Sequence, residues 1–379
     1  MKAVLFRNLL EDGSFSMQRY ALELAQAMQS VGGDRWHVRE FICRQPQIAA
    51  KVIPNRHGRR IDNALTRYVL YPFQAARLPG DIFHILDHGY AQLLWGLDSQ
   101  KTVVTCHDLV PLLAGSGVIT MSITRSVVWT FRLRLWFMAR AACVIADSES
   151  TRRDILRFTK MSPERVVVIP PGISEVFCPA DDPGLVRATR HRLGIPERVR
   201  CILHVGGRGR YKNMPTLIRA LHVLNSAMGL DVWLLKVGAD FYDNEQGLID
   251  ELGLGNRIVY LGFVPGDENL VGLYGSADVL AFPSTWEGFG WPPLEAMACG
   301  TPVVTSNAAS LPEVVGDAGL MVDPQDYDGL AQAMREVLTN DDLRRSLIDR
   351  GLERARQFSW ERTAKLTIEV YEQVLQEVK

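Results

Sequence analysis

The segment Pro283-Ser-Thr-Trp-Glu287-Gly-Phe-Gly-Trp-Pro-Pro-Leu-Glu295-Ala-Met-Ala-Cys-Gly300-Thr-Pro-Val-Val304 reads as a loop, a helix and a strand and places seven residues between two carboxylates. Pro292 and Pro293 suit a first helical turn, where a missing N–H costs little, and Gly300 suits the position that ends the helix. The glycines let backbone pass close to a ligand. The helix start offers free N–H groups and a positive dipole end to an anion such as a diphosphate. Glu287 on the loop and Glu295 on the helix can reach different parts of one elongated ligand. Carboxylates accept hydrogen bonds from sugar and ribose hydroxyls without a metal.

A second candidate is basic. Val205-Gly-Gly-Arg208-Gly-Arg-Tyr-Lys212-Asn213 follows a strand and precedes a helix beginning near Met214. As a dinucleotide fingerprint it is weak, because Gly207-x-Gly209 lacks the third glycine, whose place Lys212 takes. Its bland reading is a basic turn. A third candidate, Thr105-Cys106-His107-Asp108-Leu109, ends a strand of the first half, although a lone histidine is more often structural.

Together these segments resemble glycosyltransferase family 4, retaining enzymes of the GT-B fold with an E-x7-E signature. The resemblance covers most of the chain and is strongest from about Leu203 to Val322, where Ser306-Asn307 and Leu311-Pro-Glu-Val-Val-Gly-Asp-Ala-Gly319 also fit. It implies that Glu287 contacts the donor sugar, Glu295 the ribose, and Arg208 with Lys212 the pyrophosphate. The Arg–Lys spacing is four where many members use five, so Arg210 shares the candidacy of Arg208. His107 matches the histidine that approaches the donor sugar, and Phe289, Gly290, Trp291 and Leu294 join the substrate-binding set. Gly13 and Ser14 occupy the place of the family's glycine-rich loop. The usual Gly-Gly-Ile-Gly-Arg-Tyr reads Asp12-Gly-Ser-Phe-Ser-Met-Gln-Arg19-Tyr20 here, a longer loop that makes Gly13 a weak match.

The implied activity is transfer of a hexose from a nucleoside diphosphate sugar to a hydroxyl on a saccharide or lipid-linked acceptor, with retention. The Gly-Arg-x-x-Tyr-Lys-Asn variant looks like mannosyltransferases of polysaccharide assembly, so GDP-mannose is the leading donor and UDP-glucose the next. Front-face attack guided by the leaving phosphate is preferred to a covalent carboxylate intermediate, because no obvious nucleophile faces the donor. No cofactor beyond the co-substrate and no metal site is expected. A sugar-nucleotide epimerase and a non-catalytic nucleotide-sugar binder are the rival readings.

These residues need rigid elements. Apolar strand patterns at Lys2–Phe6, Ile82–Leu86, Thr102–Cys106, Cys143–Ala146 and Val166–Ile169 alternate with helical ones in the first half. Cys201–Val205, Val232–Val237, Ile258–Leu261, Val279–Ala281, Val303–Thr305 and Gly319–Val322 repeat the rhythm. The expected class is α/β: two doubly wound Rossmann-like domains with an interdomain cleft, ligands lying at the carboxyl ends of the strands. The turn-rich Cys178-Pro-Ala-Asp-Asp-Pro-Gly184 is the linker. The N-terminal acceptor-binding domain is assigned 1–178 and the donor-binding domain 185–359. The closing helix, 360–379, is a candidate to pack back on the first domain.

The 379 residues are 47% apolar and 22% charged, ordinary for a soluble protein. Six scattered cysteines fit reduced thiols in the cytoplasm. The net charge of −1 hides an asymmetry: residues 1–178 hold 22 Lys+Arg against 15 Asp+Glu, a balance of +7, and the remainder balances at −8. A basic half suggests an anionic partner, such as an acidic membrane at its inner face; no basic block interleaved with aromatics points to nucleic acid. The apolar, arginine-dotted stretch from Val127 could lie on such a bilayer, but a buried helix with snorkelling arginines is the preferred reading. The histidines in His84-Ile-Leu-Asp-His88 would not be brought together on a strand end as they would on one face of a helix, and Asp326-Tyr-Asp328 reads as a helix start.

Overall fold

Continuous apolar runs become the strands of two parallel sheets, covered on both faces as such runs require. A computed structural model describes residues 1–10, 15–44, 56–119, 121–179 and 183–378. The first sheet contains β1 (Lys2–Phe6), β2 (His37–Phe41), β3 (Ile82–Ile85), β4 (Thr102–Cys106), β5 (Cys143–Ala146) and β6 (Val166–Val168) in the order β2-β1-β3-β4-β5-β6. The second contains β7 (Arg200–Gly206), β8 (Val232–Gly238), β9 (Ile258–Gly262), β10 (Val279–Phe282), β11 (Val303–Ser306) and β12 (Leu320–Val322) in the order β12-β11-β10-β7-β8-β9. All neighbours in both sheets run parallel. Strand order reverses between β1 and β3 in the first and between β7 and β10 in the second, the places where doubly wound sheets open a crevice at their carboxyl ends.

Successive side chains leave a strand on opposite faces. On β7 and β10, Leu203, Leu280 and Phe282 enter one core of the second sheet, while Ile202, Val279 and Ala281 enter the core on its other face. Val4, Phe6, Ile85, Val104 and Val144 build the main core of the first sheet.

The chain divides into two compact units. The first comprises Met1–Val118, Ser122–Gly172 and the stretch from Ser359 onward; the second is mainly Ile173–Phe358. The crossing therefore precedes the sequence-assigned boundary at 178 by several residues. The closing helix Trp360–Glu377 belongs to the first unit and packs along the helix Phe15–Gly32. Its buried Tyr371 hydroxyl lies 2.6 Å from His84 Nδ1, and Trp360 meets the ring of Tyr20 at 5.4 Å.

Two readings differ from the structure. Strand β2 was not expected, because His37, Arg39 and Glu40 leave no apolar run in His37-Val-Arg-Glu-Phe41, which lies at a sheet edge. The arginine-dotted stretch forms the helix Arg125–Met138, which is not a buried helix. Phe131, Leu135 and Met138 enter the core, but Trp129 and Trp136 are 66% and 51% exposed.

Candidate functional site

The reversal between β7 and β10 brings the two candidate loops of the second unit together. Lys212 lies in the short turn Arg210–Lys212 after β7, and Glu287 in the loop after β10. The Lys212 ammonium donates to Glu287 Oε1 at 2.7 Å, and both side chains are nearly buried. Sequence placed these residues 75 apart; the parallel crossover makes them an ion pair.

Backbone and side-chain bonds fix the loops around that pair. Thr285 N–H donates to the Tyr211 carbonyl at 2.7 Å, joining the two loops. Asn213 adopts a left-handed conformation (φ 60°), and its amide donates to the Pro283 carbonyl at 3.0 Å. The buried Ser310 hydroxyl donates to the carbonyls of Glu287 (3.0 Å) and Phe289 (2.6 Å). Gly290 (φ 117°) turns the loop into the helix Trp291–Ala298, and a Cβ there would lie 3.0 Å from Leu311 in a conformation that L residues avoid.

Positive charge accumulates at the same strand ends. Arg208 and Arg210 are exposed, and their guanidinium carbons stand 4.7 and 5.0 Å from the centre of the Tyr242 ring, within cation–π range. Lys236 sits inside apolar β8, donating to the carbonyls of Gly206 (3.1 Å) and Val237 (2.9 Å). Burial pulls the Lys236 ammonium down to about 8 against the nearby Glu245 carboxylate, and the Lys212 charge adds to the lowering. A Cβ at Gly238 (φ 101°) would fall 2.1 Å from the Gly206 carbonyl oxygen, so only glycine permits this close approach of β7 and β8. Beneath the loop, burial pushes His204 down to about 3, with Lys236 adding to the shift, so the ring stays neutral at ordinary pH. The result is an electropositive strand-end face suited to an anion.

Glu295 stands elsewhere on the helix. Its carboxylate is buried and accepts the Tyr274 hydroxyl at 2.7 Å through Oε2. Phe289 and Leu294 put their side chains into the hydrophobic core and leave their backbone groups in the loop and first helical turn. Trp291 is partly buried against that core.

In the first unit, His107 follows β4 and is buried. Its Nδ1 lies 2.7 Å from Asp147 Oδ2 and its Nε2 2.8 Å from the Leu86 carbonyl. Burial opposes charge on the ring, but the Asp147 and Asp87 carboxylates and the Leu86 carbonyl outweigh it and raise His107 to about 9. Each ring nitrogen thus faces an acceptor, an arrangement that favours the charged ring. At the strand-order reversal, Asn8 donates to Asp87 Oδ2 at 2.6 Å. Gly13 and Ser14 lie outside the described residues. His84 is buried on β3, and Asp326 caps the helix Tyr327–Thr339 by accepting from Gly329 N–H. Among the described residues no group of three or more His, Cys, Asp and Glu could hold a metal ion.

Sequence reasoning missed Lys236, Tyr242, Tyr274, Ser310 and Asp147. Lys236 carried a signal, a lone charge inside the apolar run Val232–Gly238. The others act through contacts between distant segments.

Comparison with known proteins joins these observations. Residues 17–177 match the model described as Glycosyltransferase Family 4, and residues 186–354 that described as Glycosyl transferases group 1. The serotype-specific mannosyltransferase WbdA of Escherichia coli is 31% identical over 281 residues, 73% of this chain and 34% of that protein. The O-antigen chain mannosyltransferase B of Escherichia coli is 34% identical over 238 residues, 61% of this chain and 60% of that protein. The chain thus spans less than two thirds of either relative. Among solved structures, sucrose-phosphate synthase from Thermosynechococcus elongatus superposes with a TM-score of 0.79 at 23% identity, covering 100% of both chains. With both halves of the chain matched and each sheet doubly wound, this protein belongs to glycosyltransferase family 4 and has the GT-B fold.

Proposed function

We propose that this protein transfers mannose from GDP-mannose to a hydroxyl of a saccharide or lipid-linked acceptor in polysaccharide or glycolipid assembly, with retention and without a divalent metal. The observation that carries the reading is the Lys212–Glu287 pair, held at 2.7 Å on the strand-order reversal of the second unit beside Arg208 and Arg210. A diphosphate would draw on Lys212 and the arginines, and the hydroxyls of the donor sugar on Glu287. Glu295, fixed by Tyr274, would reach the ribose.

As the glycosidic bond breaks, negative charge grows on the leaving diphosphate, and preorganised cations stabilise that charge more than the ground state. The acceptor hydroxyl then attacks from the face the diphosphate leaves, its proton passing to a phosphate oxygen. His107, with both nitrogens engaged, would contribute positive charge rather than a free ring nitrogen. No cofactor is needed beyond the co-substrate. The relatives named for mannosyl transfer support mannose over glucose. Among the described residues no helix is long and apolar enough to cross a membrane. We place the enzyme in the cytoplasm, at the inner membrane face when its acceptor is lipid-linked.

The test is incubation with GDP-mannose or UDP-glucose and an acceptor pool, with chelator present, followed by NMR of the product's anomeric centre. An α-mannoside formed with chelator present supports the reading. Transfer that requires added Mg²⁺ or Mn²⁺, an inverted product, or epimerised donor in place of transfer contradicts it.

A further inference from the structure

The helix Arg125–Met138 turns an unusual face to solvent. Phe131, Leu135 and Met138, at i, i+4 and i+7, face the core, with Phe131 against the ring of His88. The opposite stripe runs Arg125, Trp129, Arg132 with Leu133, and Trp136, and Arg140 beyond the helix end folds its guanidinium over the Trp136 ring at 3.5 Å. Aromatic rings and cations therefore alternate along one exposed edge.

Neighbouring elements extend it. Arg134 donates to the hydroxyl of half-exposed Tyr68 at 3.2 Å, tying the helix to the segment Thr66–Ala75. That segment exposes Val69 and Phe73, the latter beneath the Arg77 guanidinium at 3.5 Å. The turn His88–Trp95, on which the helix packs, ends in Trp95, which is 77% exposed.

The charge pattern selects the partner. From residue 109 to residue 146 the chain carries four arginines and no Asp or Glu. A second copy docking by two-fold symmetry would set arginine stripe against arginine stripe, so self-association is opposed. An acidic protein partner would meet the arginines but does not account for the half-exposed indole rings interleaved with them along the helix. We infer that this face docks on an anionic lipid bilayer, with the tryptophans at head-group depth and the arginines on lipid phosphates. The inference uses only the first unit and does not depend on glycosyl transfer.

Sedimentation of the full chain with vesicles tests it, using phosphatidylcholine alone and phosphatidylcholine mixed with phosphatidylglycerol. Binding is expected only to the mixed vesicles and fades as salt rises, because surface charges are screened within about 8–10 Å at ordinary ionic strength. Each removed arginine should weaken partitioning about fivefold, so Arg132→Gln/Arg140→Gln should lose about 25-fold. Trp129→Ser/Trp136→Ser should reduce the quenching of tryptophan emission by brominated lipid, leaving the share due to Trp95. These side chains are solvent-facing, and unchanged circular dichroism with an unchanged Tm establishes that the variants fold. No binding to mixed vesicles at low salt, equal binding by both variants, or a dimer in light scattering that Trp129→Ser/Trp136→Ser dissolves would overturn the inference.

Discussion

Neutralising one member of the Lys212–Glu287 pair should cost more than neutralising both. The two atoms are 2.7 Å apart, and the side chains are 12% and 11% exposed. Removing one partner of a buried pair strands the other charge, at about 3–5 kcal/mol. The residual water contact moves both single variants, Lys212→Met and Glu287→Gln, to the lower end, about 3 kcal/mol each. The double variant strands nothing and should cost at most about 1 kcal/mol rather than 6, leaving a coupling of about 5 kcal/mol. Urea unfolding followed by tryptophan emission measures each corner of the cycle. Ligand binding adds a sign. Glu287→Gln removes a negative charge beside the proposed diphosphate and frees Lys212, so GDP should bind about tenfold more tightly, or ~1.4 kcal/mol, while transfer collapses. Strict additivity in the double variant, or weaker GDP binding by Glu287→Gln, would refute the reasoning.

Other outcomes follow from neighbouring contacts. Replacing Arg208 by Met should lower kcat by roughly 10²–10³, as for other preorganised charge stabilisers, and a change confined to KM would reduce the residue to an anchor. Tyr242→Leu removes the ring both guanidiniums share, so it should weaken GDP binding several-fold in the wild-type background and have no further effect in Arg208→Met/Arg210→Met; an undiminished effect there would show that Tyr242 acts otherwise. Glu295→Ala should weaken GDP by about 1.5–3 kcal/mol, a charge-assisted hydrogen bond, and Tyr274→Phe by less, because Tyr274 only positions the carboxylate; equal binding of GDP by wild type and Glu295→Ala would remove the ribose role. His107 is raised to about 9 from an ordinary 6.5, so its stabilisation is complete below pH 6.5 and is lost as pH climbs through 9, at most about 3 kcal/mol. His107→Gln should lack that decline. His84 and His204, both near 3, act on the acid side instead, where stability falls as pH drops below 6.5.

Most of the architecture was legible because parallel strands buried on both faces read as unbroken apolar runs, as in Cys201–Val205 and Val303–Thr305. Strand β2 was not, because an edge strand needs only one apolar face, and His37, Arg39 and Glu40 break the run. The helix Arg125–Met138 was misread for a related reason: its tryptophans count as apolar in composition, yet only position on the helix decides whether they face core or water. At the candidate site, Glu287, Lys212 and Arg208 were singled out by the motifs that resemble the family, and the structure brings Lys212 and Glu287 together. That pairing was not legible, since it depends on β7 and β10 becoming neighbours. His107 shows the limit most clearly: the residue was found from its motif, while Asp147, which sets its charge, ends a different strand and carries no local signal.

The most direct test is calorimetric titration of the full chain with GDP, UDP and ADP, with chelator present, in wild type, Lys212→Met and Arg208→Met/Arg210→Met. The account predicts that GDP binds most tightly, that no metal is required, and that both variants lose at least tenfold in affinity. Preference for UDP or ADP would contradict the donor assignment. Undiminished GDP binding by both variants would contradict the claim that the strand-end cations of the second unit hold the diphosphate.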